Sequence, residues 1–235
     1  MSAPTSALPN DDAVLATLRE AVGDRAVRVL DLGGGTGGYA VPLACHGHTV
    51  EVLDHSNDAL ATLARRAQAE GVGDRVAGRV ADLDHLAESI RERSADLVLC
   101  HRVLEFVDSP VQTLRAAAST LADGGMLSVV AANRAGAALS RVIAGRFDEA
   151  EAALDGAHTA QTGHRFDAAE LTGMLQEAGL AVRRLRGVGL IGELNPSEAG
   201  TAAARALGER LAADPVLAQV APLLHLIAVR DEHGA

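Results

Sequence analysis

The residues best suited to chemistry gather around one glycine-rich stretch, Val29-Leu30-Asp31-Leu32-Gly33-Gly34-Gly35-Thr36-Gly37-Gly38. Glycines let the backbone approach a ligand without Cβ clashes, and Gly33-x-Gly35-x-x-Gly38 has the spacing of a dinucleotide-binding turn. Asp54 follows at the end of the next apolar run, where a carboxylate can accept hydrogen bonds from both hydroxyls of a ribose. This spacing alone leaves NAD and S-adenosylmethionine as rival ligands. Asp31 favours the second. A carboxylate immediately before the glycines can hold the cationic, amino-acid end of S-adenosylmethionine, whereas it would repel a pyrophosphate.

Other chemistries lack their residues. No Cys/His spacing suggests a zinc site, no Gly-x-Ser-x-Gly elbow is present, and no Asn-Pro-Pro-Tyr type of motif points to methylation of an exocyclic base amine. No catalytic dyad stands out, so the catalytic residue is left unassigned. Glu105, four residues after His101, either lines an acceptor pocket, or caps, or faces solvent. His158, His164 and Arg165 lie in a loop, Gly156–Phe166, placed where a lid would sit, while His46 and His48 flank a tight turn and read as structural.

Positioning these residues takes alternating strands and helices. A helix from Asn10 or Asp11, its N-cap, carries Val14, Leu15, Leu18 and Val22 at helical spacing. Strands follow at Val27–Leu32, His48–Asp54, Arg75–Ala81, Asp96–Cys100 and Met126–Ala131, separated by helices at Ser56–Glu70, near Asp84–Arg93, and from Pro110 to about Leu121. This rhythm is that of an open parallel α/β sheet. Beyond Asn133 come helices at Ala135–Ala144 and Asp148–Leu154, a helix to Ala178 opened by Asp167-x-x-Glu170, a strand at Val182–Ile191, a helix at Ser197–Ala213 and a closing strand at Leu223–Val229. The division expected is an N-terminal helix over 1–26, a cofactor-binding core over 27–133, and a substrate cap that completes the sheet over 134–235.

The 235 residues carry 31 acidic and 21 basic side chains, every basic one an arginine, with a net charge of −10 and 2% aromatic residues. That balance disfavours a broadly basic nucleic-acid binder. The deficit is local, however: residues 134–192 hold seven arginines and seven carboxylates, with Arg183-Arg184-x-Arg186 the one cluster. No apolar run approaches the ~20 residues of a membrane span, the first twelve residues lack a signal-peptide plan, and Cys45 and Cys100 sit in apolar stretches. A cytoplasmic chain with no metal and no membrane partner is expected.

Five further stretches carry a family resemblance. After the glycine turn comes Ala95-Asp96-Leu97-Val98-Leu99-Cys100-His101-Arg102-Val103-Leu104-Glu105-Phe106-Val107, then Leu121-Ala122-Asp123-Gly124-Gly125-Met126-Leu127. In this order the chain resembles the class I S-adenosylmethionine-dependent methyltransferases. Ala132-Asn133-Arg134-Ala135-Gly136, Val142-Ile143-Ala144-Gly145-Arg146-Phe147-Asp148 and Leu224-His225-Leu226-Ile227-Ala228 resemble bacterial tRNA 5-carboxymethoxyuridine methyltransferases and their uncharacterised relatives.

The resemblance implies a Rossmann-like seven-stranded sheet in the order 3-2-1-4-5-7-6, with Leu223–Val229 the antiparallel strand, helices on both faces and a cap after strand five. It implies S-adenosylmethionine as cofactor, with Gly33, Gly34 and Gly35 lining the methionine moiety and Asp54 the ribose. Asp82 and Leu83 would face the adenine, Asp84 being the register alternative, and His101 would border the sulfonium pocket. Gly187-Val188-Gly189-Leu190-Ile191 departs from the family, which has an Arg and an aromatic residue after its Gly-Val. The expected activity is methyl transfer to an oxygen, a carboxylate included, or a nitrogen of a small molecule. A tRNA wobble-uridine carboxylate is the alternative acceptor; a NAD-dependent oxidoreductase and a non-enzymatic cofactor-binding protein are the rivals from other classes.

Overall fold

A computed structural model describes residues 11–159 and 162–230. Asn10, one of the two N-caps expected, lies outside them; Asp11 is the first residue of α1 (Asp11–Val22). Five parallel strands form the first part of the sheet: β1 (Arg28–Leu32), β2 (Thr49–Asp54), β3 (Val76–Val80), β4 (Ala95–His101) and β5 (Leu121–Ala132). Then β6 (Leu180–Val188) and β7 (Leu223–Arg230) complete the order β3-β2-β1-β4-β5-β7-β6, with β7 antiparallel to both neighbours. This is the expected topology.

Helices α2 (Ala40–Cys45), α3 (Asn57–Ala69), α4 (Leu86–Ser89) and α5 (Pro110–Thr120) connect the first five strands. Ser56 caps α3 as expected, its hydroxyl accepting from the Ala59 N–H at 3.2 Å, and Pro110 opens α5. One face of the sheet buries Val14 and Leu18 of α1, Leu43 of α2 and Leu63 of α3 against Val29, Val50 and Leu99. The other face buries Leu86, Leu114 and Ala117. Both faces of the central strands are therefore dry, which is why β4 reads as an unbroken apolar run.

The cap after β5 consists of α6 (Arg134–Ile143), α7 (Phe147–Leu154) and α8 (Ala168–Glu177), followed later by α9 (Leu190–Leu194), α10 (Ala202–Ala213) and α11 (Pro215–Ala218). Asp167 caps α8 by accepting from the Glu170 N–H at 2.8 Å, but Glu170 does not close the box: its carboxylate pairs with Arg134 at 2.5 Å. Several boundaries differ from expectation, among them the start of β5, which begins at Leu121 rather than Met126. The helix expected near Asp84–Arg93 is a 3₁₀ turn at Leu83–His85 and the single turn of α4. The strand expected to Ile191 stops at Val188, because Gly189 at φ +90° turns the chain into α9. The helix expected from Ser197 begins at Ala202 behind its Thr201 cap. Finally, β4 extends one residue further than expected, so His101 is its last residue.

Candidate active site

The C-terminal ends of β1, β2 and β4 converge on the glycine turn, the usual place for a ligand in an open α/β sheet. The Gly33 N–H bonds the Leu53 carbonyl at 2.7 Å and the Gly35 N–H donates to Asp54 Oδ2 at 2.9 Å. Asp54 Oδ1 also accepts from the Ser56 N–H at 2.8 Å. One carboxylate thus ties the turn to the start of α3, and each oxygen retains a lone pair for a ligand hydroxyl.

Which glycines are required bears on the ligand. Gly33 and Gly35 adopt φ +66° and +55°, and a Cβ on Gly34 would lie 2.3 Å from Asp31 Oδ2. The third glycine of the dinucleotide spacing, Gly38, has open space around it. Close helix packing falls instead on Gly37, at φ +81°, whose Cβ would lie 2.3 Å from Leu63 of α3. The turn therefore works as Gly33-x-Gly35-x-Gly37.

Asp31 is buried beneath this turn, and its Oδ2 has no hydrogen-bond partner among the described residues. Burial, then the nearby Asp54 charge, pushes its pKa up to about 7. Two carboxylates under a backbone cradle, one of them orphaned, suit a ligand with a positive charge and a ribose. S-adenosylmethionine has both; a pyrophosphate meets repulsion.

The remaining site expectations fall around this centre. Leu83 places Cδ1 3.6 Å from the position a Cβ on Gly33 would take. Asp82 is largely exposed and caps the 3₁₀ turn, accepting from the Asp84 N–H at 3.0 Å and meeting His85 at 3.1 Å; these partners hold its carboxyl below the usual range. Asp84, the register alternative, accepts from the Asp108 N–H at 2.7 Å, so its carboxylate clips the loop after β4.

His101 is buried, with Tyr39 edge-on at a ring-centroid distance of 4.6 Å. Its Nε2 lies 2.8 Å from Ser128 Oγ, and its Nδ1 has no partner among the described residues. Burial, then the neighbouring His225, holds its pKa well below the ordinary imidazole value, so the ring is neutral. A neutral ring suits a site for a cationic ligand.

After His101, Arg102 takes the left-handed φ +59°, and the chain turns so that Val103 lies beneath Gly33. Glu105 resolves to a buried role. Its Oε1 accepts from the Ala132 N–H at 2.8 Å and from Arg102 at 2.7 Å, while its Oε2 is unpartnered; burial raises its pKa against those donors.

The cap loop lies directly across this segment: the His164 N–H bonds the Glu105 carbonyl at 2.8 Å, and a Cβ on Gly163 would lie 2.9 Å from the Phe106 ring. His158 and His164 stack on each other at 3.8 Å, while half-buried Arg165 reaches only the Ala157 carbonyl among the described residues. His48 is structural as expected, its Nδ1 accepting from the Val27 N–H at 3.3 Å. Sequence reasoning missed Tyr39, Ser128 and His225, the last two because each sits in a strand otherwise read as core.

Cavities among the described residues lie elsewhere, two of them large. One, of about 440 Å³, is lined by Ala16, Gly187, Leu190, Ile191 and Leu211; the other, of about 590 Å³, lies at the opposite strand ends beside Arg28 and Thr49. Neither takes in Asp31, the glycine turn or His101.

A family model described as a methyltransferase domain matches residues 8–185. The chain is 33% identical over 179 residues to the tRNA 5-carboxymethoxyuridine methyltransferase of Escherichia coli (strain K12), covering 75% of this chain and 67% of that protein. It is 34% identical over 164 residues to the ubiquinone biosynthesis O-methyltransferase of Xanthomonas euvesicatoria pv. vesicatoria (strain 85-10), covering 68% and 65%. Among solved structures, magnesium protoporphyrin IX methyltransferase of Synechocystis PCC 6803 with bound S-adenosylhomocysteine aligns over 94% of this chain and 82% of that one, with a TM-score of 0.63 at 20% identity.

Proposed function

The chain belongs to the S-adenosylmethionine-dependent methyltransferases, and from that membership we propose that it methylates an oxygen of a small, negatively charged acceptor. Family membership sets aside the oxidoreductase and non-enzymatic rivals. S-adenosylmethionine supplies a methyl group made electrophilic by its sulfonium. Asp31 holds the cationic end of the cofactor, Gly33, Gly34 and Gly35 cradle it, Asp54 takes the ribose, and Asp82 and Leu83 flank the adenine. His101 borders the position of transfer. The chain's contribution is alignment of the nucleophile and exclusion of water.

Arg165 carries the reading of the acceptor's charge. It lies in the cap loop beside Arg141 and Arg102; burial, then their charges, lowers its pKa. Arg102 pairs with Glu105 and Arg141 with Glu149, whereas Arg165 has no carboxylate among the described residues. A half-buried guanidinium with no carboxylate beside it among the described residues favours an anion.

The second reading, a tRNA wobble-uridine carboxylate, is favoured by the relative that bears that name. Against it, cap arginines that could meet phosphates are already paired: Arg184 with Glu20 at 2.7 Å, Arg186 with Glu209, and Arg134 with Glu170. A β-bulge at Arg183 also breaks up the cluster. Cys45 and Cys100 are both free thiols, which supports the reducing cytoplasm as the protein's location. No helix among the described residues is long and apolar enough to cross a membrane.

Radiolabelled methyl transfer to aromatic and aliphatic hydroxy acids, and in parallel to bulk tRNA, tests the proposal. Label is expected in a hydroxy acid, with Arg165→Ala raising KM at least tenfold, the equivalent of roughly 1.5–3 kcal/mol for a lost charged hydrogen bond. Label in tRNA alone would replace this reading with the second.

A further inference from the structure

Helix α10 carries small residues, Ala204 and Gly208, one turn apart on a single face. That face looks onto the cavity of about 440 Å³, whose other walls include Ala16 of α1, Leu190 and Ile191 of α9, and Leu211. The walls leave the space open. Only Ile191 Cγ1, at 3.8 Å, lies near the position a Cβ on Gly208 would take, and Leu190, Ile191 and Leu211 are each no more than half-buried. Folded interiors are close-packed, with few voids larger than a water, whereas small-molecule sites are mostly apolar and span roughly 300–1,000 Å³. The space between α1, α9 and α10 has the size and the lining of such a site.

Sheet order keeps this cavity away from the cofactor. Its floor is the end of β6, an edge strand, and β4, β5 and β7 stand between β6 and the β1 strand that carries the glycine turn. Charge then narrows what can enter. Glu20, Glu209 and Arg205 line the cavity. Glu20 pairs with Arg184 at 2.7 Å and Glu209 pairs with Arg186, so both acidic charges are already balanced. The guanidinium of exposed Arg205 meets no carboxylate and no hydrogen-bond acceptor among the described residues. An apolar space with one unanswered positive charge at its wall suits an amphiphilic anion.

We infer that this cavity is a second ligand site, separate from methyl transfer, and that it takes an alkyl carboxylate. The chain fills the apolar space, and the carboxylate meets the planar fork of Arg205, which matches its geometry in a two-point contact. An apolar cavity of about 150 Å³ admits benzene, so one nearly three times as large holds a chain of about ten carbons. The site stands independently of the acceptor reading, which rests on Arg165 in the cap loop.

Calorimetric titration of the full-length protein with hexanoate, octanoate and decanoate, at saturating S-adenosylhomocysteine, tests the site. Affinity is expected to rise about fourfold per added methylene. Arg205→Gln should weaken decanoate by roughly fivefold. Gly208→Phe places a ring in the cavity from a helix position where glycine is the poorer helix former, and should abolish binding. Arg165→Ala should leave it unchanged. S-adenosylhomocysteine affinity within threefold of wild type certifies the fold of each variant. Absence of binding, an affinity indifferent to chain length, or decanol binding as tightly as decanoate would each overturn the proposal. Loss of binding in Arg165→Ala, with Arg205→Gln and Gly208→Phe unaffected, would overturn it too, by placing the carboxylate in the acceptor site. Failure of every hydroxy acid as methyl acceptor would strike only the O-methyltransferase reading.

Discussion

Asp31 shows how a single side chain can be read from sequence and still hold something back. Its type and place before the glycines point to a cationic ligand, but only the fold reveals an orphaned oxygen and a pKa of about 7. A cation selects the ionised carboxylate, so binding should strengthen as pH rises toward 7 and level off above it. Calorimetric titration with S-adenosylhomocysteine is expected to show affinity falling by up to about tenfold per pH unit below 7, with Asp31→Asn weaker and flat. That variant isolates Asp31 from His55, which sits 3.6 Å from Asp54. A wild-type affinity independent of pH would remove Asp31 from the cationic end. The place of His101 at the end of β4 followed from the family resemblance. Its partners did not, because Ser128 and His225 lie far apart in sequence and meet only through strand pairing.

At the scale of elements, the glycine turn separates need from coincidence. Gly37 has φ +81° and Leu63 at its back, whereas Gly38 has no neighbour within reach of a Cβ and no positive φ. Gly37→Ala should cost roughly 1–3 kcal/mol, while Gly38→Ala should stay within about 0.5 kcal/mol; urea unfolding of the two variants compares them. Equal costs would contradict the packing role of Gly37. The seven strands were accessible from apolar runs, while their order came only with the family resemblance. Helix lengths after β3 and β6 were not: Gly189 ends β6 through backbone freedom that composition does not announce, and the segment from Leu83 to Ser89 is too short for periodicity to resolve.

For the whole molecule, Asn133 is the junction. It is buried, donates through Nδ2 to the Gln219 and Ala221 carbonyls at 2.7 and 2.8 Å, and accepts from the Ala135 N–H. A Cβ on neighbouring Gly136 would lie 2.2 Å from the Ala221 carbonyl oxygen. The segment Ala132–Gly136, noticed as a family resemblance, therefore joins β5, α6 and the approach to β7. Asn133→Ala strands the buried Ala221 carbonyl and removes the donor to the part-buried Gln219 carbonyl, and should destabilise by about 1–3 kcal/mol, lowering Tm by several degrees in a thermal scan. A Tm within one degree of wild type would show the junction to be redundant.

The antiparallel β7, wedged between β5 and β6, also sets a timetable. A ribosome completes both neighbours before it makes the strand that joins them, and at roughly 5–20 residues per second the edge of β5 waits about 5–20 s for its partner. During that interval the cofactor half of the sheet can already pair, but His225 has not yet been made. A nascent chain can thus acquire its cradle before it has the histidine that neighbours His101.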